Sequence, residues 1–222
     1  MPSPFPPIAD YAFLSDCETA ALIAPDGAVD WLCVPRFDSP SIFGSLLDRQ
    51  AGAFRFGPYG INVPSEIAYE SGTNVLVTMW KTTSGWVKVR DALTIGTRQG
   101  HDAVTPHTRP PADDDADHML VRTVECLDGD VEVELVCEPL FDYGRAEATW
   151  NVEHDGGHIA DGSGGDVTVR LYTDLSLGVE GERVRARHVL RPGERAYCAL
   201  SWAVDLAGPA TADEAQARID AT

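Results

Sequence analysis

The sequence predicts an all-β fold, a large antiparallel β-sandwich (super-sandwich) followed by a short C-terminal helix. Short runs in which apolar and polar residues alternate recur along most of the 222 residues. Turn sequences rich in glycine, proline and aspartate separate these runs, and little helical periodicity interrupts them. This pattern is typical of antiparallel strands that pack as two sheets, each with one buried face. A sandwich is favoured over a closed barrel.

Four pairs of predicted strands flank turn sequences and predict hairpins. The pairs are 20–24 with 28–33, 74–82 with 86–91, 118–126 with 131–138, and 183–190 with 195–204. Two further strands are predicted at 147–153 and 167–172. Within 131–138 the apolar side chains alternate with Glu132, Glu134 and Glu138, so we expect these glutamates on the solvent side of the sheet.

Two segments break the alternation. Residues 100–117 combine proline with an acidic run and are predicted to form a surface loop. The alternative is a divalent-cation site, whose candidate ligands are His101, Asp102, His107, Asp113, Asp114, Asp115 and His118. We favour the loop, because metal ligands usually stand on rigid elements with supporting partners, and we predict no metal. Residues 155–166 are rich in glycine and are predicted to form a flexible hairpin tip.

The C-terminal residues differ from the rest of the chain. Thr211 and Glu214 have the spacing of a capping box, which predicts that a helix begins there. Ala212, Ala215 and Ile219 give this helix a thin apolar face. We therefore divide the chain into a sandwich domain, 1–209, and the start of a linker helix, 210–222. This helix is expected to lead into a second domain.

Charge and cysteine content bound the protein's environment. Lys and Arg number 17 against 35 Asp and Glu, for a net charge of -18. Such a surface disfavours nucleic acid and anionic membranes as partners. The five cysteines are odd in number and show no CxxC spacing, which favours free thiols in a reducing compartment. The first residues lack the features of a signal peptide and no run is long enough to span a bilayer. We expect a cytoplasmic protein.

The usual catalytic sequence motifs are absent. The chain has no phosphate-binding glycine loop, no GxSxG nucleophile motif and no HExxH zinc motif. Carboxylates are plentiful, but spacing along strands does not show which of them meet across a site. We therefore predict no catalytic residue and no cofactor.

Two motifs remain as candidate sites. The first follows a predicted strand and contains Trp31, Pro35, Arg36, Phe37 and Asp38. Arginine binds carboxylates in bidentate geometry, and either aromatic ring is suited to stack on a sugar or to pack on another domain. The alternative is a rigid corner in which Arg36 pairs with Asp38 and the aromatic rings fill the core.

The second motif again places an acid, an aromatic residue and an arginine just after a strand. Its residues are Asp142, Tyr143 and Arg145, within Glu138-Pro139-Leu140-Phe141-Asp142-Tyr143-Gly144-Arg145. A plain strand-end turn is the alternative reading here as well.

Taken together, these motifs resemble the N-terminal domain of bacterial trehalase and glucoamylase-like enzymes of glycoside hydrolase family 15. The shared segments are PPIADYA at 6–12, DCETAAL at 16–22, DGAVDWLCVPRFDSPSIF at 26–43 and PLFDYGR at 139–145. Leu140 stands where the family has an arginine, so a contact through that arginine is not implied for this chain.

The resemblance implies a β-sandwich that precedes an α/α-barrel catalytic domain, which would be its partner in the same protein. The family's catalytic glutamates belong to that barrel, so none is carried over to this chain. The implied chemistry is inverting hydrolysis of an α-glucoside such as trehalose. The implied role of the eight motif residues is at the domain interface or near the substrate.

Three readings of function therefore stand side by side. The first is a non-catalytic domain that packs on the catalytic barrel of a trehalase or, alternatively, of a glucoamylase-like enzyme. The second is an independent carbohydrate-binding module, for which some of the five tryptophans would have to form an exposed row. The third is a structural or oligomerisation domain.

Overall fold

A computed structural model describes residues 5–97, 114–153 and 157–222. These residues contain seventeen strands, sixteen of which form two antiparallel eight-stranded sheets, which confirms the all-β prediction. In chain order the strands are β1 Ala12–Ser15, β2 Ala20–Ile23, β3 Ala28–Cys33, β4 Ser41–Phe43, β5 Ala53–Pro58, β6 Glu66–Tyr69, β7 Leu76–Lys81, β8 Gly85–Thr97, β9 Asp114–Gly129, β10 Val131–Glu138, β11 Ala146–Glu147, β12 Thr149–Val152, β13 Ile159–Gly164, β14 Val167–Thr173, β15 Gly178–Glu180, β16 Arg183–Leu190 and β17 Arg195–Ser201. The two-residue β11 makes only bridge pairs with Leu140 and Phe141.

The two sheets pack face to face over one apolar core. Sheet I has the order β1-β2-β3-β5-β10-β16-β15, with β4 paired to β3, and sheet II has the order β12-β13-β14-β17-β9-β8-β7-β6. Alternate residues of β10 and β9 point into the shared core, among them Val133, Leu135, Leu120 and Val124. The metal candidates His101, Asp102, His107 and Asp113, and the side chain of Asp114, lie outside the described residues.

Two of the four predicted hairpins are correct and two are wrong. β2 pairs with β3, and β7 pairs with β8. In contrast, β9 and β10 lie in different sheets, as do β16 and β17. Both connections are arches that cross from one sheet to the other, because each of these four strands already has two neighbours within its own sheet. The arches are joined to each other, since the Cys126 amide donates to the Glu194 carbonyl at 3.0 Å and the Gly193 amide donates to the Cys126 carbonyl at 2.8 Å.

Two further predictions need correction. Glu134 lies on the outer face of sheet I, as the alternation predicts, but it is not exposed to solvent, since its relative exposure is only 8%. It is covered by Arg185 and Arg187, whose Nε atoms lie 2.8 Å and 2.9 Å from its Oε1. Within the glycine-rich segment expected to be a flexible tip, residues 159–164 form β13. Gly164 is needed there because a Cβ atom would clash with the ring of the buried Phe141.

The C-terminal helix, α2, spans Ala212–Asp220 and begins as the capping box predicts. The Thr211 hydroxyl accepts a hydrogen bond from the Glu214 amide at 3.2 Å, and Glu214 accepts one from the Ala210 amide at 2.9 Å. Ala215 and Ile219 are buried against the outer face of sheet II. The predicted linker helix thus packs on the sandwich along its whole length.

A buried ion pair at the centre of the sandwich was not singled out from the sequence. Arg122 on β9 is fully buried, and its Nε donates to Asp91 Oδ1 at 2.7 Å. Its other two nitrogens donate across the core, to the Phe54 carbonyl at 2.9 Å and the Gly27 carbonyl at 2.7 Å. One side chain of sheet II therefore bonds directly to the backbone of sheet I.

Candidate functional site

Both sequence motifs lie at the same end of the sandwich. The arches stand at one end, where β9 ends and β10 begins. Because β10 runs away from the arches, its last residue, Glu138, and its partner Ala53 lie at the other end. The loop after β3 is at this end too, since the Phe37 amide donates to the Glu18 carbonyl at 2.9 Å. Glu18 Oε2 in turn lies 3.7 Å from Nδ1 of His118, which is near the start of β9 and so far from the arches. We call this the motif end.

The first motif is split between a strand and an exposed loop. Trp31 is half-buried on β3, whereas Pro35, Arg36, Phe37 and Asp38 are all exposed. Arg36 Nε lies 3.2 Å from Asp38 Oδ1, so the ion pair expected of a rigid corner is present. Phe37, however, is 64% exposed, so this aromatic ring does not fill the core. The loop thus presents a free phenyl ring beside a surface ion pair.

The second motif forms a left-handed turn, α1, at Phe141–Gly144. Asp142 and Tyr143 have φ values of 50° and 58°, and Gly144 follows at 84°. Non-glycine residues adopt this region at a steric cost. Phe141 anchors the turn in the core, while Tyr143 remains 50% exposed. Asp142 and Arg145 are exposed and form a loose ion pair of 3.5 Å.

Three of the eight predicted site residues meet in one cleft. Trp31, Tyr143 and Arg145 line a cavity of about 520 Å³, together with Leu47, Asp48 and Leu140. We call this the motif cleft. The residues Pro35, Arg36, Phe37, Asp38 and Asp142 are not among those that line it. The eight residues thus lie at one end of the molecule, where the structure separates those that line the cleft from those on exposed backbone beside it.

Two loops build the motif cleft and approach each other closely. One is the connection between β4 and β5, and the other is the segment around α1. Gly52 in the first loop has a φ of +82°, and a Cβ atom there would lie 2.6 Å from the Glu138 carbonyl oxygen. A side chain at this position would push the loops apart. The bridge pairing of Leu140 with Glu147 closes the second loop at its base.

A buried carboxylate, missed in the sequence analysis, fixes the first loop. Asp30 on β3 is 2% exposed and accepts hydrogen bonds from Ser45 Oγ at 2.6 Å, Tyr11 Oη at 2.8 Å and Arg49 Nη1 at 2.9 Å. Burial, followed by the hydrogen bond to Asp30, raises the pKa of Tyr11 to about 12. The aspartates and tyrosine of the DYA and DWLC segments were visible in the sequence, but nothing in their spacing shows that they meet.

A second cavity, of about 610 Å³, lies on the outer face of sheet II and contains none of the predicted site residues. Tyr172, Tyr197 and Leu206 are among its lining residues. The Tyr172 and Tyr197 hydroxyls donate to carbonyls of the segment that covers this face, Leu206 at 3.1 Å and Pro209 at 2.7 Å. These two hydroxyl groups therefore hold that segment in place.

Other features of the described residues bear on the readings of function. Within 5–97, 114–153 and 157–222, no three His, Cys, Asp or Glu side chains are grouped as metal ligands. No helix in those ranges is long and apolar enough to cross a membrane. All five cysteines are free thiols. Trp80 is buried and the other four tryptophans are half-buried. The five tryptophans therefore do not form the exposed aromatic row expected of a carbohydrate-binding module.

Comparison with known proteins gives a consistent result. Residues 3–104 match a family model described as trehalase-like, N-terminal. The chain is 51% identical over 221 residues to a trehalase of Mycolicibacterium smegmatis and 50% identical over 221 residues to a trehalase of Mycobacterium tuberculosis. These alignments cover 96% of this chain and 33% and 32% of those proteins. A further relative, trehalase 1 of Sulfolobus acidocaldarius, is 39% identical over 84 residues, or 38% of this chain and 15% of that protein. The chain thus spans about one third of the length of the first two relatives.

Proposed function

Because the chain belongs to the family of trehalase-like N-terminal domains, we propose that it is the non-catalytic part of a longer enzyme that hydrolyses trehalose to two glucose molecules. Residues 1–209 are the sandwich domain, and residues 210–222 lead toward a C-terminal catalytic domain, its partner in the same protein. The observation that carries this proposal is the alignment of 96% of this chain with only one third of two trehalases.

The motif end is the surface that we propose packs on the catalytic domain. α2 begins near the arches, where Arg195 lies 3.5 Å from Asp213, and it runs toward the motif end, where Thr222 Oγ1 lies 3.4 Å from the Ile95 amide. A polypeptide that continues along this direction leaves the sandwich at the motif end. The exposed rings of Phe37 and Tyr143 lie at the same end and provide apolar area to bury.

The same proposal assigns the eight motif residues to this interface or to the vicinity of the substrate. The exposed loop of Pro35, Arg36, Phe37 and Asp38 would pack on the catalytic domain. The turn of Asp142, Tyr143 and Arg145, with Trp31, would border the substrate. No cofactor is part of the proposal. The free thiols favour a reducing compartment, and we place the protein in the cytoplasm.

The chemistry of the whole enzyme is testable through its products. Inversion at one anomeric carbon of α,α-trehalose yields one β-glucose, while the departing glucose keeps its α configuration. The full-length protein should therefore release the two anomers in equal amounts at early times, as measured by proton NMR. An excess of one anomer at the earliest times would contradict inverting hydrolysis.

Purified residues 1–222 should release no glucose from trehalose or maltose. The matched control is the full-length protein at the same molar concentration, which should be active on trehalose. Activity of the full-length protein on maltose rather than trehalose would support the glucoamylase-like alternative. Turnover by residues 1–222 well above a blank would show that the domain is itself catalytic and would overturn the proposal.

A further inference from the structure

We propose that the motif cleft is a preformed binding site for a neutral glucosyl saccharide, with the Trp31 indole as its platform and Tyr143 at its rim. This inference rests on the proposed function, because it names the ligand class for the surface that faces the catalytic domain. It goes further in placing sugar recognition within the sandwich domain itself.

The cleft is rigidly built rather than a gap between mobile loops. Asp30 ties the β4–β5 loop to β3 through Ser45 and Arg49. The close approach at Gly52 brings that loop against the segment that follows β10. Both walls are therefore fixed before any ligand arrives, which lowers the entropic cost of binding.

The composition of the cleft suits a polyol better than an apolar side chain. A pyranose ring has an apolar C–H face and a rim of hydroxyl groups. The aromatic rings of Trp31 and Tyr143 offer flat surfaces to the C–H face of the sugar. The side chains of Asp48, Gln50 and Arg145 offer hydrogen-bond acceptors and donors to its hydroxyl groups. The volume of about 520 Å³ lies within the size range of small-ligand sites. The net charge of -18 disfavours an anionic ligand.

The backbone at α1 supports the same conclusion. Two successive non-glycine residues, Asp142 and Tyr143, are held in the left-handed region. Strain of this kind persists where the surrounding structure imposes it, and it clusters at ligand-binding sites. Here it holds the Tyr143 ring at the mouth of the cleft, half exposed. Ligand sites also occur preferentially at boundaries between domains, which is where the proposed function places this cleft.

Residues 1–222 can be tested directly, with trehalose and maltose as probes and sorbitol as a linear polyol control. We expect a saturable calorimetric signal with at least one disaccharide and a matching change in intrinsic tryptophan fluorescence. Trp31→Ala and Tyr143→Ala should each weaken binding by about tenfold, which corresponds to about 1.4 kcal/mol. Trp31→Phe should keep most of the heat but lose the fluorescence change.

The matched control is Trp86→Phe, at the opposite end of the sandwich where Gly85 pairs with Gly129. This variant should bind as the unmodified chain does. Thermal unfolding of each variant identifies any loss of fold, and Tyr143→Ala, at an exposed position, should unfold as the unmodified chain does.

The inference is overturned if the folded chain gives no saturable heat with either disaccharide, or if the heat survives both alanine variants. Equal binding of sorbitol would also overturn it. These outcomes are separate from the failure of the proposed function. A full-length protein that hydrolyses trehalose while residues 1–222 bind no sugar would refute the cleft and leave the function standing. Sugar binding by residues 1–222 with no hydrolysis by the full-length protein would refute the proposed function and leave the sugar-binding cleft standing.

Discussion

Replacing Arg122 with methionine should destabilise the sandwich more than any surface change. The side chain is fully buried, and its removal leaves Asp91, 1% exposed, as an uncompensated carboxylate in the core. It also removes the donors to the Phe54 and Gly27 carbonyls of the opposite sheet. Breaking a buried pair by deleting one partner costs about 3–5 kcal/mol. For a domain of this size that corresponds to a fall of about 10 °C in the melting temperature.

The assay is urea unfolding of residues 1–222, followed by circular dichroism and tryptophan fluorescence. The matched control is Arg36→Met, since Arg36 also pairs with an aspartate, Asp38, but both side chains are mostly exposed, at 60% and 65%. Loss of that surface pair should cost less than about 1 kcal/mol. The two variants delete the same group, and only its burial differs.

The double variant Arg122→Met with Asp91→Leu tests the stated cause. If the orphaned carboxylate is the main cost, the second substitution should restore part of the stability, with a coupling of about 2 kcal/mol between the sites. Strictly additive losses would show that packing or the cross-sheet bonds, and not the stranded charge, carry the effect. A loss for Arg122→Met as small as that for Arg36→Met would refute the reasoning altogether.

Two further predictions concern the loops at the motif end. The pKa of Tyr11 is raised to about 12 by burial and by its bond to Asp30, so its contribution to stability should be complete below pH 10 and lost as the pH rises toward 12. Urea unfolding at pH 8, 10 and 11 gives the difference in stability between the unmodified chain and Tyr11→Phe. This difference should shrink above pH 10, and an unchanged difference would contradict this account. Asp142→Gly should stabilise the chain by about 0.5–1 kcal/mol, because relief of the left-handed strain at φ 50° exceeds the added flexibility of the unfolded state. Asp142→Ala, which keeps the strain, is the control, and equal stability of the two variants would show that the turn is unstrained.

Sequence patterns predicted individual strands well but paired some of them wrongly. The alternation in 131–138 and the turn residues at 127–130 are as expected, yet β10 turns into sheet I while β9 stays in sheet II. A turn sequence specifies that the chain reverses direction, not which strand it then bonds to. The choice between hairpin and arch depends on which edges are already occupied, and that is a property of the complete sheets.

Burial of charged groups was the other systematic failure. The period of two places Glu134 on the outer face of sheet I, and it does lie there. It is nevertheless buried, because Arg185 and Arg187 on the neighbouring strand lie over it. Arg122 is the reverse case, a charged residue on the inward face, which no hydrophobicity pattern predicts. Cross-strand partners determine whether each of these charged side chains is buried, and those partners lie many residues away along the chain.

The motif cleft shows which features of a site the sequence motifs predict and which features only the strand order determines. Trp31 and Tyr143 were both predicted as site residues, but they are 112 positions apart and nothing in either motif indicates that they share a cavity. The strand order β3-β5-β10 brings them together, because β3 and β10 both run away from the arch end and flank β5. Trp31 projects beyond the start of β5, and α1 follows directly after β10. If this topology is what makes the site, a change that separates the loops without touching either ring should abolish sugar binding. Gly52→Ala is such a change, since its Cβ would lie 2.6 Å from the Glu138 carbonyl oxygen. The control is Gly60→Ala, because Gly60 has a comparable φ of +71° but no atom within 4 Å of an added Cβ. It therefore carries the same backbone cost without the steric clash.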